Sequence, residues 1–326
     1  MALHLFAIVA GLILLVWSAD RFIAGAAAVA RLFGVSPLVI GLTIVALGTS
    51  APEMFVSAIA ALQGQPGLAI GNAIGSNITN IGLILGVTAV VTPLAVRSGI
   101  LRRELPIAFA LVALTAALLW DGDLDVFDGV VLLIGLTALL VWLYRTATSG
   151  KDGEDSLATE IVEELPAEEM SQKQAIGWTV AGLILLGGSA QVLVWGAVGV
   201  ATALGVPDLI IGLTIVALGT SLPELAASLT GALKGEHDLA IGNVLGSNMF
   251  NLTVVLPLPG LLAPGAVMPE MLGRDVLAMA LFTMVLFALG AGWAGRAGRI
   301  NRLEGAALLL GFGIYEFILI KTTLAA

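Results

Sequence analysis

The sequence predicts an all-α polytopic membrane protein: ten transmembrane helices arranged as two inverted five-helix repeats. Three observations lead there. Of 326 residues, 59% are hydrophobic and only 11% charged, whereas soluble domains run near half apolar and about a quarter charged. Apolar stretches of spanning length, roughly 20 residues for 30 Å of hydrocarbon, recur along the chain. A forty-residue stretch also occurs twice, 171 residues apart.

Composition excludes several function classes. With Cys 0 there are no disulfides, thiolate metal sites or cysteine nucleophiles. His4 and His237 are the two histidines, too few for a histidine zinc site. A net charge of −9 argues against a nucleic-acid partner. No Rossmann glycine motif, P-loop or nucleophile elbow is present, so an enzyme or ATPase reading has no support. No cofactor is expected. The N-terminal MALHLFAIVAGLILLVW lacks the positive charge that opens a secretory signal, and is expected to be a retained first span.

The spans are expected at 3–30, 36–62, 67–92, 104–120, 126–146, 175–203, 208–233, 238–263, 273–292 and 303–323. Residues 1–146 and 175–326 then form the two five-helix halves, joined by an acidic linker at 147–174 that reads as solvated. With the N-terminus outside, inner segments carry Arg21, Arg31, Arg97, Arg102, Arg103, Arg145, Lys151, Lys173, Lys234, Arg296, Arg299 and Arg302. Only Arg274 and Lys321 fall outside. The positive-inside rule therefore places both termini outside and the linker in the cytoplasm.

Residues 41–80 and 212–251 are identical at 25 positions without a gap. Five spans per half is an odd number, so the second copy enters from the opposite side. Transporters build midplane sites at such repeat interfaces, using interrupted helices. Gly48-Thr49-Ser50-Ala51-Pro52-Glu53 and Gly219-Thr220-Ser221-Leu222-Pro223-Glu224 each place a proline mid-span, where the lost donor and ring clash break the helix. Gly75-Ser76-Asn77 and Gly246-Ser247-Asn248 are expected to break the following helix likewise. Asn77 and Asn248 read equally well as caps of those broken ends.

Glu53 and Glu224 carry the most weight as site residues. A charge at the bilayer centre costs about 2.5–3.5 kcal/mol even on translocon scales, and neither stretch holds a Lys or Arg to pair with them. Cations are the natural neutralising partners. Thr49, Ser50, Ser76 and Asn80, with Thr220, Ser221, Ser247 and Asn251, add oxygen. Back-bonding to the i−4 carbonyl is the competing role for each hydroxyl. An oxygen-only set selects hard ions, and two carboxylates with varied oxygens suit Ca²⁺ better than the strict octahedron of Mg²⁺.

The paired GTSxPE and GNxxGSNxxN motifs resemble the alpha repeats of the calcium/cation antiporters, most closely those of bacterial sodium/calcium exchangers. The resemblance covers essentially the whole chain and implies the sodium/calcium exchanger fold. It also implies antiport of Ca²⁺ against Na⁺ across an inner membrane, and the self-contained pair of repeats suggests a monomeric transport unit. Glu53 and Glu224 would bind calcium. Thr49, Ser50, Ser76, Thr220, Ser221 and Ser247 would bind sodium with the carbonyls of Ala46 and Ala217, while Asn80 and Asn251 line the centre. The first and sixth spans would slide against the rest. Some relatives carry Asp at one of these Asn positions, and Asn at both makes potassium co-transport the weaker expectation. Proton-coupled relatives place an acid directly after the glycine–asparagine pair; here Ala73 follows Asn72 and Val244 follows Asn243. Ca²⁺/H⁺ exchange is thus the second reading and a cation channel a more distant one. Asp20-Arg21 reads as a local ion pair, and Glu316 is a lone acid that the sequence leaves unassigned.

Overall fold

The structure, a computed structural model, describes residues 1–34, 40, 46–96, 98–148, 170–290 and 298–325. Helix α1 is Ala2–Leu32, α2 is Ala46–Thr49, α3 is Ala51–Leu62 and α4 is Pro66–Val91. Helices α5 (Ser98–Leu118) and α6 (Val126–Thr148) follow. Beyond the linker come α7 (Gln172–Leu204), α8 (Asp208–Thr220), α9 (Leu222–Lys234), α10 (His237–Leu262), α11 (Met271–Gly290) and α12 (Arg302–Ala325). Among the described residues, eight helices are long and apolar enough to cross a bilayer, or nine with the bent pair α8–α9 taken as one span. The expected second span, 36–62, begins in residues outside the described set, so the count of ten extends beyond it. Most of the acidic linker, with Lys151, also lies outside, as do Arg97 and Arg296.

Local chemistry explains the breaks. Ser50 (φ −85°, ψ 9°) and Ser221 (φ −84°, ψ 8°) interrupt the helix at equivalent points. Pro52 and Pro223 then open α3 and α9 within their first two positions, where a missing N–H leaves no bond unmade. The α8–α9 axis bends by 43° there. Gly64 (φ +74°) and Gly235 (φ +86°) make the tight reversals into α4 and α10, a left-handed conformation that a Cβ disfavours.

The second expected interruption is not where the glycines suggested. The helix runs unbroken through Gly75-Ser76-Asn77 and Gly246-Ser247-Asn248. A π-turn follows instead, over Asn80–Leu85 in α4 and Asn251–Val255 in α10. Glycine in a buried span loses no hydrogen bond and gains close approach. A Cβ on Gly75 would sit 2.7 Å from the Leu213 backbone, so this glycine is a packing point. The π-turn widens the helix by one residue and loosens the backbone bonding there, as such turns often do at functional sites.

Helices α1 and α7 pack antiparallel along their length and contain 31 and 33 residues. At 1.5 Å per residue both approach about 50 Å, long enough to cross the bilayer with tilt. Their contacts repeat under the 171-residue offset. A Cβ on Gly11 would meet the Leu193 backbone, and one on Gly182 the Phe22 backbone; Gly25 meets Thr179, and Gly196 meets Ile8. Helix α7 begins with a capping box between Ser171 and Gln174, which satisfies two otherwise orphan donors.

Short strands tie the halves together. β1 (Leu94–Ala95) follows α4 and pairs antiparallel with β4 (Arg299–Ile300), between α11 and α12. β2 (Asp123–Leu124), between α5 and α6, pairs with β3 (Gly265–Ala266), which follows α10. β1 and β2 are separated by the span α5, so they lie at opposite ends of the molecule. β3 lies with β2, so the equivalent strands β1 and β3 are at opposite ends too. This is the geometry of an inverted repeat.

Candidate ion-binding site

Helices α4 and α10 are the most buried spans, and the polar residues concentrate on them and on the two proline breaks. Glu53, Ser50, Ser76, Asn80, Thr220 and Asn251 are completely buried, and Ser221, Glu224 and Ser247 nearly so. Glu53 lies in the first turn of α3 and Glu224 in the first turn of α9, where the helix N-terminus favours a carboxylate. The two carboxylates stand near enough to act on each other electrostatically, and the Thr220 and Ser221 hydroxyls of the second repeat face Glu53. Ser247 Oγ donates to Glu224 Oε1 at 2.9 Å. The breaks and crossing helices therefore bring the two predicted carboxylates together with hydroxyls of the second repeat.

Several of these oxygens have no hydrogen-bond partner among the described residues. They are both Glu53 carboxylate oxygens, the hydroxyls of Ser50, Ser76 and Ser221, and Oδ1 of Asn80 and Asn251. A buried, unsatisfied polar atom costs about 1–3 kcal/mol, more if charged, and a native protein retains such atoms for a reason. Back-bonding, the competing role for the hydroxyls, applies to Thr220, whose Oγ1 is 3.1 Å from the Val216 carbonyl. It does not apply to the three serines. The Ala217 carbonyl accepts from Ser221 N at 3.1 Å. Ala46 opens α2 at the equivalent place in the first repeat. Thr49 is only half-buried and lines a cavity of about 980 Å³ that also reaches Glu224.

Asn77 and Asn248 are not caps. They lie within α4 and α10 and face each other across the repeats. Asn77 Nδ2 donates to the Asn248 carbonyl (3.2 Å) and Asn248 Nδ2 to the Asn77 carbonyl (3.3 Å). Asn80 Nδ2 donates to Asn248 Oδ1 (2.9 Å) and Asn251 Nδ2 to Asn77 Oδ1 (3.1 Å). The four bonds obey the pseudo-two-fold. They also occupy the amide nitrogens of Asn80 and Asn251 and leave their oxygens for the centre.

Asn72 and Asn243 escaped the sequence reading as site residues. Asn72 Nδ2 donates to the Glu53 carbonyl (3.1 Å) and Ser57 Oγ (3.0 Å). Asn243 Nδ2 does the same with the Glu224 carbonyl (3.3 Å) and Ser228 Oγ (3.1 Å). Their presence at one spacing in both copies was the available signal.

Elsewhere, Asp20 and Arg21 lie inside α1 at 3.7 Å from each other, with Arg21 over Trp178. Arg274 forms a two-point pair with Asp275, which also accepts from Tyr315 Oη at 3.0 Å. Glu316, next to Tyr315, lies near enough to Asp275 to feel its charge.

Inverted halves around a buried oxygen site fit a membrane cation transporter. The family model described as sodium/calcium exchanger protein matches residues 3–145 and again 174–321. The chain belongs to the sodium/calcium exchanger family. It is 47% identical over 315 residues to the putative antiporter CaxA of Alkalimonas amylolytica, covering 97% of this chain and 98% of that protein. It is 41% identical over 309 residues to the inner membrane protein YrbG of Escherichia coli strain K12, covering 94% of each. The solved sodium-calcium exchanger NCX_Mj, soaked with 2.5 mM Na⁺ and 10 mM Sr²⁺, superposes with a TM-score of 0.60 at 32% identity, covering 96% of this chain and 97% of that one.

Proposed function

We propose that the protein exchanges Ca²⁺ for Na⁺ by alternating access, with both ions competing for the oxygens between the two proline breaks. The observation that carries this reading is the set of buried oxygens, both of Glu53's among them, left without hydrogen-bond partners at the two breaks and on the crossing helices. Two ionised carboxylates in a site closed to water need about two positive charges nearby. One Ca²⁺ supplies them, and Na⁺ ions supply them in turn. Glu53 and Glu224 act as the calcium ligands, and Thr49, Ser50, Ser76, Thr220, Ser221, Ser247 and the Ala46 and Ala217 carbonyls complete the sodium shells, with Asn80 and Asn251 lining the centre. An empty site carries uncompensated charge through the apolar barrier, so it crosses slowly and a one-way leak is suppressed.

The two halves, 1–146 and 175–326, form one transport unit, so a monomer suffices. Both termini lie outside and the 147–174 linker inside. The inner membrane fits the name of the Escherichia coli relative, and sodium as the coupling ion fits the name of NCX_Mj.

The test is ⁴⁵Ca²⁺ uptake into proteoliposomes loaded with Na⁺, beside matched vesicles carrying a pH gradient without Na⁺. Uptake that requires internal Na⁺ supports the proposal. Uptake driven only by the pH gradient replaces sodium with protons, and flux with no counter-ion defines a channel.

A further inference from the structure

The joints at Asn72 and Asn243 are built alike but end differently. In each, the asparagine amide holds the carbonyl of the site glutamate and a serine hydroxyl, and that serine donates onward to a backbone carbonyl at 3.2 Å, Ser57 to Ala69 and Ser228 to Ala240. The asparagine oxygen is the atom that breaks the symmetry. Asn72 is completely buried, and its Oδ1 accepts from Thr220 Oγ1 of the other repeat at 3.1 Å. Asn243 is half-buried and, with Thr49, lines the 980 Å³ cavity that runs from Glu224 to the exposed turn at Lys234 and Glu236. Packing follows the same division. Ala227 lines the cavity, whereas its equivalent Val56 is completely buried.

We propose that Asn72 and Asn243 are positioning residues that close one at a time. Asn72 on Thr220 seals the side of α3, while Asn243 stands opposite Thr49 on the open side and closes on it when access reverses. The bond does two things at once. It joins a crossing helix of one repeat to the break of the other, which shuts the path between them. It also gives the Thr220 proton, which the Val216 carbonyl accepts at the same distance of 3.1 Å, a second acceptor on the other repeat, and so helps orient the hydroxyl. The inference rests on the exchange reading only for the identity of that cation; the change in access stands without it.

The chain has no cysteine, so single reporters can be placed directly. Val56→Cys and Ala227→Cys are made separately in the full-length protein in proteoliposomes and exposed to a small charged thiol reagent. Without further change, Ala227→Cys reacts and Val56→Cys is protected. Adding Asn72→Ala raises the Val56→Cys reaction rate by at least tenfold, and adding Asn243→Ala leaves Val56→Cys protected. Thr220→Val removes the same hydrogen bond while leaving the amide's links to Glu53 and Ser57 in place, and gives the same exposure of Val56→Cys. Val56→Cys staying protected in folded, monodisperse Thr220→Val protein overturns the proposal. So does equal exposure by Asn72→Ala and Asn243→Ala. As a second readout, Asn72→Ala raises the KM for Na⁺ more than that for Ca²⁺, and equal increases overturn the hydroxyl-orienting role. Failure of Na⁺ to drive uptake at all, with labelling behaving as expected, instead removes the sodium reading and leaves the access mechanism.

Discussion

Replacing Asn248 with alanine tests whether the asparagine cluster holds the two central helices together. The substitution removes the acceptor of Asn80 Nδ2 and the donor to the Asn77 carbonyl, at 2.9 and 3.3 Å. Asn77 Nδ2 keeps the Asn248 backbone carbonyl. Two side-chain bonds are therefore lost. Interhelical hydrogen bonds in membranes average about 0.6 kcal/mol and reach about 1.7 kcal/mol. Their stranded partners lie among buried atoms with no water to replace them, which favours the upper half of that range. Asn248→Ala should cost about 2–3 kcal/mol. Reversible unfolding in mixed micelles measures it, with Asn80→Ala and the double variant completing a cycle. The cycle should return a coupling of about 0.6–1.7 kcal/mol between Asn80 and Asn248. A loss below about 0.5 kcal/mol, or no coupling, would mean that helix packing alone holds α4 against α10.

Glu53→Gln or Glu224→Gln should lower ⁴⁵Ca²⁺ uptake into Na⁺-loaded proteoliposomes at least a hundredfold while leaving the protein folded; near-normal rates in either would remove the carboxylates from the site. Gly25→Leu should slow exchange strongly while Ca²⁺ still binds, because even a Cβ there would lie 2.6 Å from Thr179 N and force apart α1 and α7, the two spans that would have to move as one; equal loss of binding and rate in a calorimetric and flux comparison would refute a joint sliding role for the pair. Asn80→Asp places a third carboxylate at the centre and removes the donor to Asn248. Uptake by that variant should gain a pH-dependent step in addition to the parent's, with the added cation attraction lost as pH falls and the new acid protonates. An unchanged pH profile would place residue 80 away from the ions.

The sequence singled out the candidate site residues because their chemistry conflicts with their surroundings. Glu53, Glu224 and the hydroxyls beside them sit in apolar stretches, and a polar residue in hydrocarbon needs a reason. The breaks at Ser50 and Ser221 were legible because proline leaves few alternatives. Gly75 and Gly246 misled because glycine looks the same whether it breaks a helix or lets two helices touch; only the neighbour, here Leu213 against Gly75, decides. The π-turns at Asn80 and Asn251 had no local signature; they begin at the residues whose amides reach across to Asn248 and Asn77. The roles of Asn72 and Asn77 likewise depend on partners brought close by the fold: Thr220 lies 148 positions from Asn72 in the chain. The expected orientation in the membrane rests on the distribution of Lys and Arg alone.

The asparagine pairing also has a consequence in time. Asn77 meets Asn248 across 171 positions of chain. At synthesis rates of about 5–20 residues per second, roughly 10–35 s separates the appearance of one amide from that of the other. During that interval the newly made first half stands in lipid with a strip of amide and hydroxyl groups whose permanent partners have not yet been translated. Biogenesis therefore depends on something shielding α4 until α10 arrives, whether the insertion machinery or the chain's own α3 folded over it. A nascent chain stalled before residue 248 is the species most exposed to membrane quality control.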